Sequence, residues 1–85
     1  MIYHILFGES EAKLLNLEGS GLKTIIAGSL KEAEGKALDE MKRRKAPFAL
    51  IFIETPEPVK LSLLSLEDET VKALGNLGAW LKEGE

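Results

Sequence analysis

Residues 48–53, Phe-Ala-Leu-Ile-Phe-Ile, carry no polar side chain, and the run is closed by Pro47 before it and by Thr55-Pro56-Glu57-Pro58 after it. Successive side chains of a strand point to opposite faces, so an unbroken apolar run of this length is a strand that needs cover on both sides. Its place is in the middle of a sheet. The chain has 85 residues, enough to bury one hydrophobic core and too few for two. One domain spanning residues 1–85 must therefore supply both covers or borrow one from another molecule.

Around that strand the pattern reads β-β-β-α-β-β-α. Residues 2–7 are apolar on both strand faces apart from His4, Gly8-Glu9-Ser10 breaks the run, and residues 12–18 are expected to return as the second strand of a hairpin. Gly19-Ser20-Gly21 is a turn signal, and residues 22–27 make a third strand. From Ser29 the period becomes helical: Leu30, Ala33, Ala37, Leu38 and Met41 share a stripe, and Ser29 with Glu32 forms a capping box. Three acid-to-base pairs four apart, Glu32 with Lys36, Asp39 with Arg43 and Glu40 with Arg44, support the helix before Pro47 stops it. Beyond residues 48–53, Val59, Leu61 and Leu63 alternate with Lys60 and Ser62 as a fifth strand. Ser65 and Asp68 then cap a second helix with Leu66, Leu74, Leu77 and Leu81 on its stripe, and Gly75 and Gly78 weaken its second half. The fold class expected is α+β, a mainly antiparallel sheet of five strands with both helices on one face. A second copy of the chain is expected to cover the other face, giving a homodimer.

A shift of 36 residues aligns 12–47 with 48–83 without a gap, matching Leu14 to Leu50, Ser29 to Ser65 and Lys36-Ala37-Leu38 to Lys72-Ala73-Leu74. Two readings are open: a duplicated ββα unit, or two capped helices after two strands that align by pattern alone. Under the first, residues 2–7 stand outside the repeat and form a candidate edge for pairing with another subunit.

Composition excludes much chemistry. There is no cysteine, so disulfides, thiolate nucleophiles and cysteine zinc sites are absent. His4 is the single histidine, and its reading is a strand residue with a ring nitrogen bonded within the fold. Glu9, Glu11, Glu67 and Asp68 lie beside turns and helix starts, where they act as caps. No calcium-loop or zinc spacing occurs, and Gly19-Ser20-Gly21 lacks the lysine ending of a phosphate loop. We therefore expect no catalytic, metal or cofactor-binding residue and a protein that is not an enzyme. The alternative within enzymes, a carboxylate working in a dimer cleft, needs an acid with a strongly perturbed pKa. No apolar run is long enough to cross a bilayer, the N-terminus lacks a signal-peptide layout, and a cytoplasmic protein without membrane contact is expected. Glutamine is absent and charge rests mostly on Glu and Lys, the bias of heat-adapted proteins.

Lys42, Arg43, Arg44 and Lys45 form the one strong charge cluster. At a helix C-terminus they neutralise exposed carbonyls and the negative dipole end. The alternative is a docking patch for RNA phosphate or an acidic surface, held locally against a net charge of −3. Aromatic interleaving for base stacking is missing around it. Trp80, off the centre of the second helix stripe, covers the rim of the core or anchors an interface, and with Tyr3 it is the candidate interface pair.

Gly21 through Ala27 followed by Gly28-Ser29-Leu30-Lys31-Glu32-Ala33 resembles the segment of HicB-type antitoxin domains in which a short strand leads into a helix beginning Leu-Glu-Glu-Ala. The resemblance covers residues 2–45. It implies a sheet-plus-helix domain, often oligomeric, that neutralises a small basic RNA-cleaving toxin. The chain departs from that family in lacking an aromatic second strand and a recognisable DNA-binding appendix. The function expected is a small non-catalytic binding or regulatory protein engaging a protein partner, antitoxin-like in the resemblance. The alternatives are a local RNA contact through the basic helix end and a structural homo-oligomer.

Overall fold

The structure is a computed structural model, and residues 1–54 and 56–74 are described. Seven elements follow in order: β1 (Ile2–Gly8), α1 (Glu11–Leu15), β2 (Gly21–Ile26), α2 (Leu30–Arg44), β3 (Phe48–Glu54), β4 (Pro58–Ser65) and β5 (Thr70–Ala73). The class is α+β, with five strands in one antiparallel sheet ordered β2-β1-β3-β4-β5. The apolar run is β3, the middle strand, and Ala49, Leu50, Ile51, Phe52 and Ile53 are all buried.

α2 forms as its sequence dictates. Ser29 is extended and its Oγ accepts the Glu32 N–H at 3.2 Å, satisfying one of the free donors of the first turn. Ala33, Ala37 and Met41 are fully buried against the sheet. At the other end Lys45 takes the left-handed conformation (φ 59°), and the Ala46 N–H returns to the Met41 carbonyl at 3.0 Å, closing the helix before Pro47. The connection β2-α2-β3 passes over β1, so α2 lies on one face against Tyr3, Ile5, Phe7, Ile51, Ile53 and Leu64.

Several placements differ from the expectation. Residues 11–15 are a helix and not a strand, because Ser10 caps it, its Oγ accepting the Lys13 N–H at 3.3 Å, and Glu-Ala-Lys-Leu-Leu are all strong helix formers. It ends after one and a half turns at Asn16, with Leu17 left-handed (φ 62°). The expected helix after Ser65 is instead a turn and a strand as far as the described residues run: β4 includes Ser65, residues 66–69 turn with Glu69 left-handed (φ 51°), and Thr70 pairs back to Ser65. The β-branched Thr70 and Val71 favour that strand. The second half of that helix, with Gly75, Leu77, Gly78 and Leu81, lies outside the described residues.

The two helices occupy opposite faces of the sheet. Leu14 of α1 is fully buried in a second cluster with Leu50, Phe52 and Leu63, flanked by Leu6, Phe48 and Leu74. In β4 the alternation Val59-Leu61-Leu63 is broken by a bulge at Ile51/Phe52: Ser62 faces Ile51 and Lys60 faces Phe52, so Leu61 is the extra residue and joins the α2 side while Leu63 joins the other. In the 36-residue register β2 falls on β4, whereas α1 falls on β3 and the start of α2 falls on the turn after β4. β1 is not an edge, since it lies between β2 and β3.

Candidate functional site: an open sheet edge

β2 forms one edge of the sheet. The chain reaches it through Gly19, where a Cβ would lie 2.5 Å from the Phe7 carbonyl oxygen and 2.7 Å from the Leu6 side chain. Only glycine lets the loop press this closely onto β1. The Ser20 N–H then donates to the Phe7 oxygen at 2.8 Å, and the strand runs back along β1 with Leu6 opposite Leu22, His4 opposite Thr24 and Ile2 opposite Ile26. Met1 and Ala27 exchange both N–H···O bonds, each 3.1 Å. Antiparallel partners alternate between hydrogen-bonded and non-hydrogen-bonded pairs. It follows that Lys23 and Ile25 turn their backbone polar groups toward β1, and that Leu22, Thr24 and Ile26 turn theirs away from the sheet. The Lys36 ammonium donates to the Ile26 oxygen at 3.4 Å from that outer side.

The same three residues place their side chains on the face opposite α2. Leu22 is 57% exposed, Ile26 73% and the neighbouring Ile2 55%. Among the described residues the outward N–H and C=O groups of Leu22, Thr24 and Ile26 meet only the Lys36 ammonium, and such a row beside exposed aliphatic side chains is a template for strand pairing unless it is defended. The defence is thin: Lys23 bends to Glu40 of α2 on the other face, at 3.6 Å, and Lys36 reaches one carbonyl.

Between the aliphatic residues runs a polar line that sequence separation hides. His4 Nδ1 lies 2.9 Å from Thr24 Oγ1, its Nε2 lies 3.4 Å from Glu54 Oε1, and its ring is 5.2 Å from that of Phe52. Hydroxyl, imidazole and carboxylate in series are the groups of a nucleophilic triad. A triad also needs donors facing the oxyanion, and here the backbone N–H groups of β2, β1 and β3 lie in the plane of the sheet while Thr24 Oγ1 stands on its face. What the arrangement does achieve is to tie three adjacent strands and hold His4 in one orientation.

The basic cluster is dispersed into the fold. Lys42 pairs with Glu69 at 3.1 Å, while Arg43 and Arg44 both bind Glu40, Arg44 Nε at 2.8 Å. Hydrogen bonds from Arg43 first, and Arg44 second, hold the Glu40 carboxyl down at about 2, and the same contact raises Arg43. A downward shift fixes a negative charge, the opposite of what a general acid at neutral pH requires. The Arg44 guanidinium also lies 4.4 Å over the Phe7 ring, in space that a Cβ on Gly21 would invade at 2.8 Å from Nη1. Among the described residues Lys45 alone of the four has no carboxylate within 4.0 Å. Arg44 and Lys45 line a cleft of about 350 Å³ with Gly8, Glu9, Ser20 and Gly21.

Tyr3 is 4% exposed and belongs to the core beneath α2, so it is not an exposed interface residue. Trp80 lies outside the described residues. Among the described residues no three His, Asp or Glu side chains group as metal ligands would, and no helix is long and apolar enough to cross a membrane. β2 was legible as a strand but not as the edge. Edge position depends on α2 carrying the chain over β1, and nothing local to residues 21–26 encodes that. Comparison of the chain with protein-family models, with curated proteins and with solved structures found no match.

Proposed function

We propose that this chain is a non-catalytic binding protein, regulatory in role, whose β2 edge accepts a strand from a protein partner. The observation that supports this most is the coincidence of the outward backbone groups of Leu22, Thr24 and Ile26 with the exposed aliphatic side chains of Leu22 and Ile26. In strand addition the main-chain bonds supply affinity and alternate side chains supply selectivity. Contact with RNA phosphate through Lys42, Arg43, Arg44 and Lys45 has less support, since three of the four are paired with acids of their own chain.

The test is capture from lysate of the source organism at low and high salt, with the tagged chain and its Leu22→Lys/Ile26→Lys variant side by side. A protein retained in stoichiometric amount by the parent, stable to salt and lost from the variant, is the expected result. Retention that is equal in both, or that consists of RNA and vanishes at high salt, would overturn the reading.

A further inference from the structure

We infer that the strand accepted by β2 is β2 of a second copy, paired antiparallel about a twofold axis at Thr24 to give one continuous ten-stranded sheet. This rests on the reading of β2 as the docking edge, and it goes further by naming the occupant. The outward groups of the strand are spaced symmetrically about Thr24, with Leu22 two residues before it and Ile26 two after. A twofold interface sets each residue opposite its mirror position. Thr24 therefore meets the partner's Thr24, and Leu22 meets the partner's Ile26 twice over, so that every outward N–H finds a carbonyl and every exposed aliphatic side chain finds another. None of these three residues carries a charge, so self-pairing sets no like charges directly opposite on that face. On the α2 face Lys23 meets the partner's Ile25 and keeps its own Glu40.

The joined strands bring Ile2, Leu22 and Ile26 of both copies into one strip on the face opposite α2. Exposed aliphatic side chains beside an open edge are the liability that such pairing removes. Among the described residues β5 is the other edge, and its four residues offer a shorter template. A pairing through one short strand per copy lies at the small end of specific interfaces, so the dimer is expected to form and dissociate with concentration.

The chain has no cysteine, so a single introduced thiol reports its own neighbours. Hydrogen-bonded antiparallel pairs hold their Cα atoms roughly 5.5 Å apart, within reach of a disulfide. Thr24→Cys, mildly oxidised, is expected to convert to a covalent dimer, while Lys31→Cys, on the exposed surface of α2, is not. Sedimentation of the unmodified chain is expected to show the mass rising from one copy toward two with concentration, and Leu22→Lys/Ile26→Lys is expected to stay at one copy. A chain that remains monomeric at its highest soluble concentration, or a dimer in which Thr24→Cys fails to crosslink, would overturn self-pairing. In either case the wider reading of the edge stands or falls separately, on whether the Leu22→Lys/Ile26→Lys variant loses a captured partner.

Discussion

Ser62 shows how one residue couples the sheet to its helix. It is fully buried, and its hydroxyl donates to Glu34 Oε2 of α2 at 2.6 Å, so a carboxylate directed toward the sheet finds a partner at the bulge. Without the bulge, Lys60 and Ser62 would share one face and Leu61 would take the other, as simple alternation requires. Ser62→Ala should therefore cost about 1–3 kcal/mol by leaving that carboxylate oxygen without its donor, measured as the shift in chemical denaturation at constant slope. Replacing Glu34 with Gln in the same background should recover part of the loss, since an amide is cheaper to leave unpaired than a charge. No loss in Ser62→Ala would mean that water substitutes fully for the hydroxyl.

At the scale of elements, legibility followed how many independent signals agreed. α2 had four: a serine cap, a helical stripe, acid-to-base spacing and a proline stop. It forms as read, with Glu32–Lys36 and Glu40–Arg44 paired, although Arg43 turns to Glu40 in place of Asp39. β3 had composition and two bounding prolines. α1 carries a serine cap and five strong helix formers and β5 two β-branched residues, yet the pattern predicts a strand for the first and a helix for the second, because a five-residue helix and a four-residue strand are too short for periodicity to separate. The end of α2 also gives a prediction about pH. Glu40 titrates at about 2 against an ordinary 4.5 because Arg43 and Arg44 bond its charged form. A depressed carboxyl contributes stability that is complete above the unfolded value and is lost as pH falls through the folded one. Thermal midpoints of the parent should thus fall as pH drops from 4.5 toward 2 more steeply than those of Glu40→Gln, and the two should converge at the acid end. Parallel curves would show that the ion cluster is solvated away in solution.

For the whole molecule, the sheet is covered unequally. α2 spans one face, α1 contributes Leu14 near β3 on the other, and the β2 side of that second face keeps Ile2, Leu22 and Ile26 in solvent. The need for a second cover was legible in residues 48–53. Where the open region falls was not, because it depends on the strand order β2-β1-β3-β4-β5, which is set by the crossover of α2 and not by any local pattern. The account turns on alternate residues of β2 facing outward, and amide hydrogen exchange in dilute solution measures that residue by residue. Lys23 and Ile25 should be protected by β1, while Leu22, Thr24 and Ile26 exchange freely and slow only as the protein is concentrated. Uniform protection along β2 in dilute solution, or fast exchange at all five residues, would contradict the open edge on which the proposed function depends.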